Sequence, residues 1–193
     1  MAGYLIGSIP VGVMVGRAFG FDPRAVGSGN VGMTNVARAG GGSAAAITFV
    51  GDLLKGLLPV VIARTTGLAA GGVAMVAFAA FLGSIASIFL KFTGGRGVAT
   101  SFGIWIVLAP IPVTVAAIVF LVALAASRIA SLASISAAIV IVPAIAIASR
   151  PRPYILLAIG ISALVLLRHR ENINRLIAGE EPRIGGGKSK PAV

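Results

Sequence analysis

Long apolar runs, separated by short polar breaks, follow one another along almost the whole chain. A helix needs about 20 mostly apolar residues to span a bilayer, and fewer where it is broken. On that measure the runs predict seven helices, over residues 2–19, 44–63, 68–90, 97–109, 112–126, 130–149 and 153–167. The fourth and fifth are short because Ala109-Pro110-Ile111-Pro112 divides a longer apolar run. Two prolines this close favour a turn over a kink, since neither donates a backbone hydrogen bond and each biases its predecessor away from helix. If the break were only a kink, six spans would remain. Gly12, Gly16 and Gly20 in the first helix recur at spacing four, a small-residue stripe that lets a neighbouring helix approach closely. The expected architecture is all-α and polytopic. A single seven-helix transmembrane domain covers residues 1–181, and a Gly-, Lys- and Pro-rich tail over 182–193 reads as disordered.

Of the 193 residues, 58% are hydrophobic and 11% charged, with a mean hydropathy of +1.04; soluble domains carry about 25% charged residues. Only Asp22, Asp52, Glu171, Glu180 and Glu181 are acidic, against sixteen Lys and Arg, for a net charge of +11. A basic chain can signal nucleic acid, but these charges sit in short loops between apolar runs. That placement favours membrane lipid as the partner and argues against nucleic acid. With seven spans, one side collects Arg17, Arg24, Arg38, Lys91, Arg96, Arg128 and the basic residues after position 167, twelve in all. The other side holds Arg64, Arg150 and Arg152. Cytoplasmic loops carry the Lys/Arg excess, so the N-terminus is expected outside and the tail inside. With no cysteine and a single histidine, His169, neither a disulfide nor a metal site is expected, and no cofactor is implied. The N-terminal apolar stretch contains Gly and Pro and lacks a cleavage-like site, so it does not read as a signal peptide.

The polar breaks carry the candidate chemistry. Gly27-Ser28-Gly29-Asn30-Val31-Gly32-Met33-Thr34-Asn35 packs three glycines and four small polar side chains into nine residues, with Arg38 close behind. Irregular polar backbone cannot face lipid, because each unpaired amide there costs several kcal/mol. Such a segment must line a wet cavity or a membrane face, and its amides and hydroxyls suit a small anion such as phosphate. Gly94-Gly95-Arg96-Gly97 precedes a helix start, where free amides and the macrodipole favour negative charge; taken alone it is also an ordinary turn. Arg128, Ser131 and Ser134 come from a third break. The last helix exits into Arg168-His169-Arg170-Glu171-Asn172-Ile173-Asn174-Arg175, with His169, Asn172 and Arg175 near one helical face. Asp52 and Lys55 lie three apart inside an apolar span, either as a self-compensating pair or with the lysine turned to substrate. No Ser-His-Asp array or carboxylate pair is visible. An enzyme built this way should act on an activated, charged substrate by positioning and electrostatics.

These motifs, in this order, resemble the bacterial acyl-phosphate:glycerol-3-phosphate acyltransferases from about Tyr4 to Glu181. The resemblance rests on Gly7-Ser8-Ile9-Pro10, on the Asp22, Arg24, Gly27-Ser28-Gly29-Asn30, Thr34-Asn35 and Arg38 run, and on Gly51-Asp52-x-x-Lys55-Gly56. It continues through Lys91-Phe92-Thr93-Gly94-Gly95-Arg96-Gly97-Val98-Ala99-Thr100, Ser131-Leu132-Ala133-Ser134 and the Arg168-to-Glu181 segment. It implies a seven-helix protein of the bacterial inner (plasma) membrane with its active site on the cytoplasmic face. The implied reaction moves a fatty acyl group from acyl phosphate to the 1-hydroxyl of glycerol 3-phosphate, giving lysophosphatidic acid and phosphate, the first step of phospholipid synthesis. By the same resemblance Ser28, Arg38, His169 and Asn172 are catalytic. Gly29, Asn30, Thr34, Asn35, Lys55, Gly94, Gly95, Arg96, Gly97, Ser134, Ile173 and Arg175 bind substrate or phosphate, while Asp52 and Glu181 are structural. The donor's own phosphate takes the hydroxyl proton, which accounts for the missing base.

The chain departs from the family at Ser84, where a histidine is usual, at Ala86 and Ser87 in place of an aromatic and a proline, and at Arg96 in place of lysine; it also starts short of the usual N-terminus. Nothing demands more than a monomer. The competing expectation is a multi-pass transporter or binding protein for an organic phosphate, which would need a midplane site open to two faces.

Overall fold

The computed structural model describes residues 1–185, and among these the chain is helical with no strand. Nine α-helices follow in order: α1 (Ala2–Gly7), α2 (Val11–Ala18), α3 (Met33–Thr65), α4 (Ala70–Ile85), α5 (Val98–Leu108), α6 (Pro110–Ser127), α7 (Ala130–Ile147), α8 (Arg152–Arg168) and α9 (Arg170–Ile177). The Ala109–Pro112 break is a turn, as the paired prolines require: Ala109 leaves helical geometry and Pro110 opens α6.

Two helices differ from the sequence expectation. The first is two pieces, because Pro10 has no N–H to continue α1. The carbonyls exposed at that break find side-chain donors elsewhere: Ser87 Oγ donates to Ser8 O, and Lys55 Nζ donates to Ile9 O at 3.3 Å. The second helix begins eleven residues early, at Met33 rather than 44, and bends at Gly41, whose φ of 79° only glycine adopts cheaply. The Gly12/Gly16 stripe faces the loop over 21–31, with Gly12 also against Thr48 of α3, and Gly20 falls outside α2.

Helices are drawn together by small residues, as expected where lipid gives no hydrophobic drive between them. α3 and α5 meet through glycines on both sides: a Cβ at Gly56 would lie 2.1 Å from Thr100 O, and one at Gly103 2.1 Å from Leu53 O. α1 lies alongside α4 in the same way, Gly7 against Ala80. Val60, Phe81, Ile104, Trp105, Ile145 and Ile161 form the buried core shared by α3, α4, α5, α7 and α8.

By length and apolarity α3, α6 and α7 can each cross a membrane, and α8 with α9 makes a fourth if that pair, bent by 60°, is one span. The 2–18 segment, α4 and α5 are shorter apolar helices. Arg168, at the end of α8, donates to Gly94 O and Gly95 O, so the C-terminal end of α8 meets the turn that joins the end of α4 to the start of α5. Of the tail expected to be disordered, 186–193 lies outside the described residues; Ile184 N–H is bonded to Arg128 O at 2.7 Å.

Candidate active site

A polar cavity of about 180 Å³ opens where those helix ends meet. Three segments far apart in sequence line it: Ser28, Gly29 and Asn30; Gly94 and Arg96; and Leu167, Arg168, Arg170 and Glu171. Three guanidinium groups against one carboxylate make it a cationic seat, suited to a phosphate dianion.

The first wall is shaped by Asn35. This side chain is 2% exposed, accepts from Ser28 N–H at 3.0 Å and donates to the carbonyls of Pro23, Val26 and Asn30 at 2.7–2.9 Å. Its polar atoms are thereby committed to the loop, so Asn35 braces the seat and has nothing left for phosphate. Asn30 Oδ1 accepts from Gly32 N–H at 2.8 Å and closes the next turn. Arg38 is exposed and flanks this loop, its Cδ 3.7 Å from where a Gly27 Cβ would lie, without lining the cavity. Thr34, in the first turn of α3, is half-buried and also off the cavity. Arg24 is held by Asp22 in an exposed ion pair at 2.7 Å.

The second wall is the turn between α4 and α5. Gly95 N–H donates to Ser84 O at 3.1 Å, and a Cβ at Gly94 would fall 2.7 Å from that same oxygen. Gly97 precedes α5 with φ 77°, tight against the Phe81 ring, and supports the seat from behind. Arg96 is the group these elements aim into the cavity. Burial pulls its guanidinium below the usual value; Glu181 and Glu171 oppose that and Arg175 and Arg168 add to it. Arginine stays charged throughout.

The third wall is the α8–α9 bend. His169 sits at the bend, 1% exposed, with Nδ1 2.7 Å from Val165 O. A carbonyl can only accept, so Nδ1 carries the proton and Nε2 is left as an acceptor. Burial pushes the imidazole pKa down to about 4; the Val165 bond and Glu181 oppose this, Arg96 and Arg168 reinforce it. His169 is therefore neutral at pH 7. Asn172 is 3% exposed; its Nδ2 donates to Glu181 Oε1, while its Oδ1 is buried with no partner. Glu181 also accepts from Ser131 Oγ at 2.6 Å and Arg175 Nε at 2.7 Å, tying α9 to the start of α7. His169, Asn172, Arg175 and Glu181 thus stand behind the lining residues, next to Arg96. Ile173 is half-buried on α9 and does not line the cavity.

Lys55 and Ser134 are also absent from the cavity lining. Lys55 is paired with Asp52 at 2.7 Å and bonded to Ile9 O, so its ammonium serves the helix break and not the cavity. Ser134 Oγ donates to Ala130 O of its own helix, and Ser131 makes the contact to Glu181 instead. Sequence reasoning passed over Arg168, Arg170 and Glu171 as lining residues. Their signal was the charged run after the last apolar residue, but the 60° bend that turns them inward is not written in composition. Among the described residues no group of three or more His, Cys, Asp or Glu could hold a metal ion.

A family model described as glycerol-3-phosphate acyltransferase matches residues 1–179. The glycerol-3-phosphate acyltransferase of Rubrobacter xylanophilus is 46% identical over 187 residues, 96% of this chain and 94% of that one. That of Geotalea daltonii is 46% identical over 178 residues, 92% of each. Among solved structures, PlsY, an integral membrane glycerol 3-phosphate acyltransferase, superposes in its glycerol 3-phosphate form with a TM-score of 0.92 at 40% identity, over 95% of this chain and 92% of that one. Its lysophosphatidic acid form gives 0.89 at 39% identity, over the same shares. With a cationic seat built from the same ordered motifs, the chain belongs to the glycerol-3-phosphate acyltransferase family, membrane-integral enzymes of phospholipid synthesis that acylate glycerol 3-phosphate.

Proposed function

We propose that the donor is a fatty acyl phosphate and that the reaction occurs in the Arg96–Arg168–Arg170 cavity. The observation that carries this reading is the convergence of three guanidiniums on one polar seat beside a neutral, buried histidine. Glycerol 3-phosphate places its phosphate among the guanidiniums, with Ser28 at the rim and Arg38 flanking. His169 Nε2 and Asn172 Oδ1 are acceptors matched to the glycerol hydroxyls, and they orient the 1-hydroxyl toward the acyl carbon. The new C–O ester bond forms as the C–O bond to the donor phosphate breaks. The hydroxyl proton leaves on the phosphate, so the protein need not supply a base of matched pKa. Charge on the departing phosphate is where fixed cations accelerate the step.

The same reading covers membrane placement. Seven crossings arise if the broken 2–18 segment, α3, α4, α5, α6, α7 and α8 each traverse the bilayer, in one domain over residues 1–181. The short connections that join α5, α6, α7 and α8 support this count, and the twelve-to-three distribution of basic loop residues supports a cytoplasmic site with the N-terminus outside. The chain is then a monomeric enzyme of the bacterial plasma membrane, taking one reactant from water and one from lipid. A transporter reading fares worse. A second opening, lined by Val61, Arg64, Thr65 and Val107, lies at the other end of α5, and the packed side chains of Phe81, Ile104 and Trp105 fill the space between.

Phosphate release by purified protein in detergent or lipid mesophase tests the proposal. Release should need both acyl phosphate and glycerol 3-phosphate, with no added metal and no turnover of acyl-coenzyme A. Arg38→Ala and His169→Ala should each depress turnover strongly while folding is retained. Release at the rate of spontaneous hydrolysis overturns the donor assignment, and near-normal rates in both variants overturn the site.

A further inference from the structure

Arg168 uses its guanidinium in a way that a simple phosphate ligand would not. Its Nη2 donates to Gly94 O at 2.8 Å and its Nε to Gly95 O at 3.3 Å. The side chain comes from the end of α8, and both acceptors belong to the turn between α4 and α5, more than seventy residues earlier. A peptide plane is rigid, and its C=O and N–H point in opposite directions. Holding two successive carbonyls therefore fixes the direction of the two N–H groups across the same planes. One is Gly95 N–H, already committed to Ser84 O. The other is Arg96 N–H, which makes no hydrogen bond among the described residues.

We propose that Arg168 is a positioning residue for glycerol 3-phosphate, clamping the Gly94–Gly95 carbonyls away from the anion so that Arg96 and its backbone N–H face the substrate phosphate. This rests on the cavity being the glycerol 3-phosphate seat. Two carbonyl oxygens turned toward a dianion would repel it; bonded to a guanidinium, their partial charge is neutralised and their orientation set. Gly94 and Gly95 offer no side chain to do this, and on the other side the turn is packed against the backbone of Ser84 and Ile85. Arg168 is thus the group that closes the turn from the α8 side. The two-point geometry is specific to arginine, because a lysine ammonium on a flexible stem cannot hold two successive carbonyls in one plane.

The test compares Arg168→Ala and Arg168→Lys in the phosphate-release assay, with the acyl phosphate saturating and glycerol 3-phosphate varied. Both variants should raise KM for glycerol 3-phosphate by about tenfold or more, the scale expected for loss of charge-assisted hydrogen bonds. KM for the acyl phosphate should stay within about twofold. A double cycle with Arg96→Ala should be strongly non-additive, since Arg168 acts through the Arg96 turn. Recovery of wild-type KM by Arg168→Lys overturns the clamp, because charge alone would then suffice. Additive effects in the cycle overturn it as well. Arg168 is exposed, so folding is not at stake, and thermal unfolding of each variant in detergent verifies this. Wild-type protein with no turnover of the two substrates would defeat the cavity assignment itself, whereas active wild type with a normal Arg168→Ala defeats only the clamp.

Discussion

Removing the Glu181 carboxylate should loosen α9 and weaken substrate binding together. Three donors converge on it: Ser131 Oγ at 2.6 Å, Asn172 Nδ2 at 2.5 Å and Arg175 Nε at 2.7 Å. Hydrogen bonds to a charged partner contribute about 1.5–3 kcal/mol each where buried. Ser131 and Asn172 are 5% and 3% exposed and qualify. The Arg175 side chain is 36% exposed, so its share is screened to about 0–1 kcal/mol. Glu181→Ala should therefore cost about 3–7 kcal/mol in the contact between α9 and α7. Asn172 loses the partner that holds its amide, so the orientation of its unpaired Oδ1 is no longer fixed. Glu181→Gln keeps one acceptor oxygen but presents an amide NH₂ toward Arg175, and should show roughly half the loss. Thermal unfolding in detergent and KM for glycerol 3-phosphate are the readouts: both should move for Ala, and both less for Gln. Burial pushes this carboxyl up, but the hydrogen bonds from Ser131, Asn172 and Arg175 outweigh it and hold its pKa below the ordinary 4.5. Its contribution is then complete above pH 4.5 and falls away as pH drops through the lowered folded value. An alanine variant with wild-type unfolding temperature and wild-type KM would show that the three bonds do not anchor the helix.

Other changes follow from the same contacts. Because burial lowers the His169 pKa from 6.5 to about 4, the unfolded chain binds more protons between those values, and stability should rise with pH across that window. Unfolding temperature against pH should lose this component in His169→Ala; an unchanged profile refutes the buried neutral imidazole. Lys55→Met strands the Asp52 carboxylate among apolar helices and should cost about 3–5 kcal/mol, with Asp52→Asn/Lys55→Met recovering much of it. The folded fraction of either variant should keep its KM for glycerol 3-phosphate, and a raised KM would return Lys55 to the site. Gly56→Val should push α3 away from Thr100 O and lower the unfolding temperature, by about 1–3 kcal/mol or more of overpacking strain; a neutral result would mean that the two helices do not meet there.

How far the sequence could be read depended on whether a feature is local. Helix positions from α4 to α8 were legible within about five residues, because apolar runs, the Pro110/Pro112 pair and the basic loops are local signals. The α1–α2 break was present in the sequence as Pro10, but a single proline in an apolar run is also compatible with a kink. What settled it are the distant donors Ser87 and Lys55, which make an open break tolerable. The early start of α3 depended on Gly41, one glycine in a row of three. At the site, residue type is a local signal and hydrogen-bond partner is not. Asn35 is committed to backbone groups of its own loop, and of the two readings open for Lys55 the geometry shows the pair with Asp52, joined by a bond to Ile9 O. Ser131 and Ser134 differ by three positions, nearly one turn, and only the placement of Glu181 distinguishes them.

The α8–α9 bend explains why the last motif needs so many charged residues in succession. On a straight helix Arg168, His169, Arg170, Glu171 and Asn172 would be spaced by 100° and scattered around the whole circumference. The 60° bend at His169 changes this. Arg168 ends one helix and Arg170 and Glu171 begin the next, so all three reach the cavity from two directions. His169 and Asn172 take the inner side of the same corner, where burial keeps the first neutral and leaves the second with a free acceptor. A corner of this kind presents fixed cations and unprotonated acceptors within one small volume. For the proposed reaction between glycerol 3-phosphate and an acyl phosphate, that combination supplies an anion seat open to water and buried acceptors beside it.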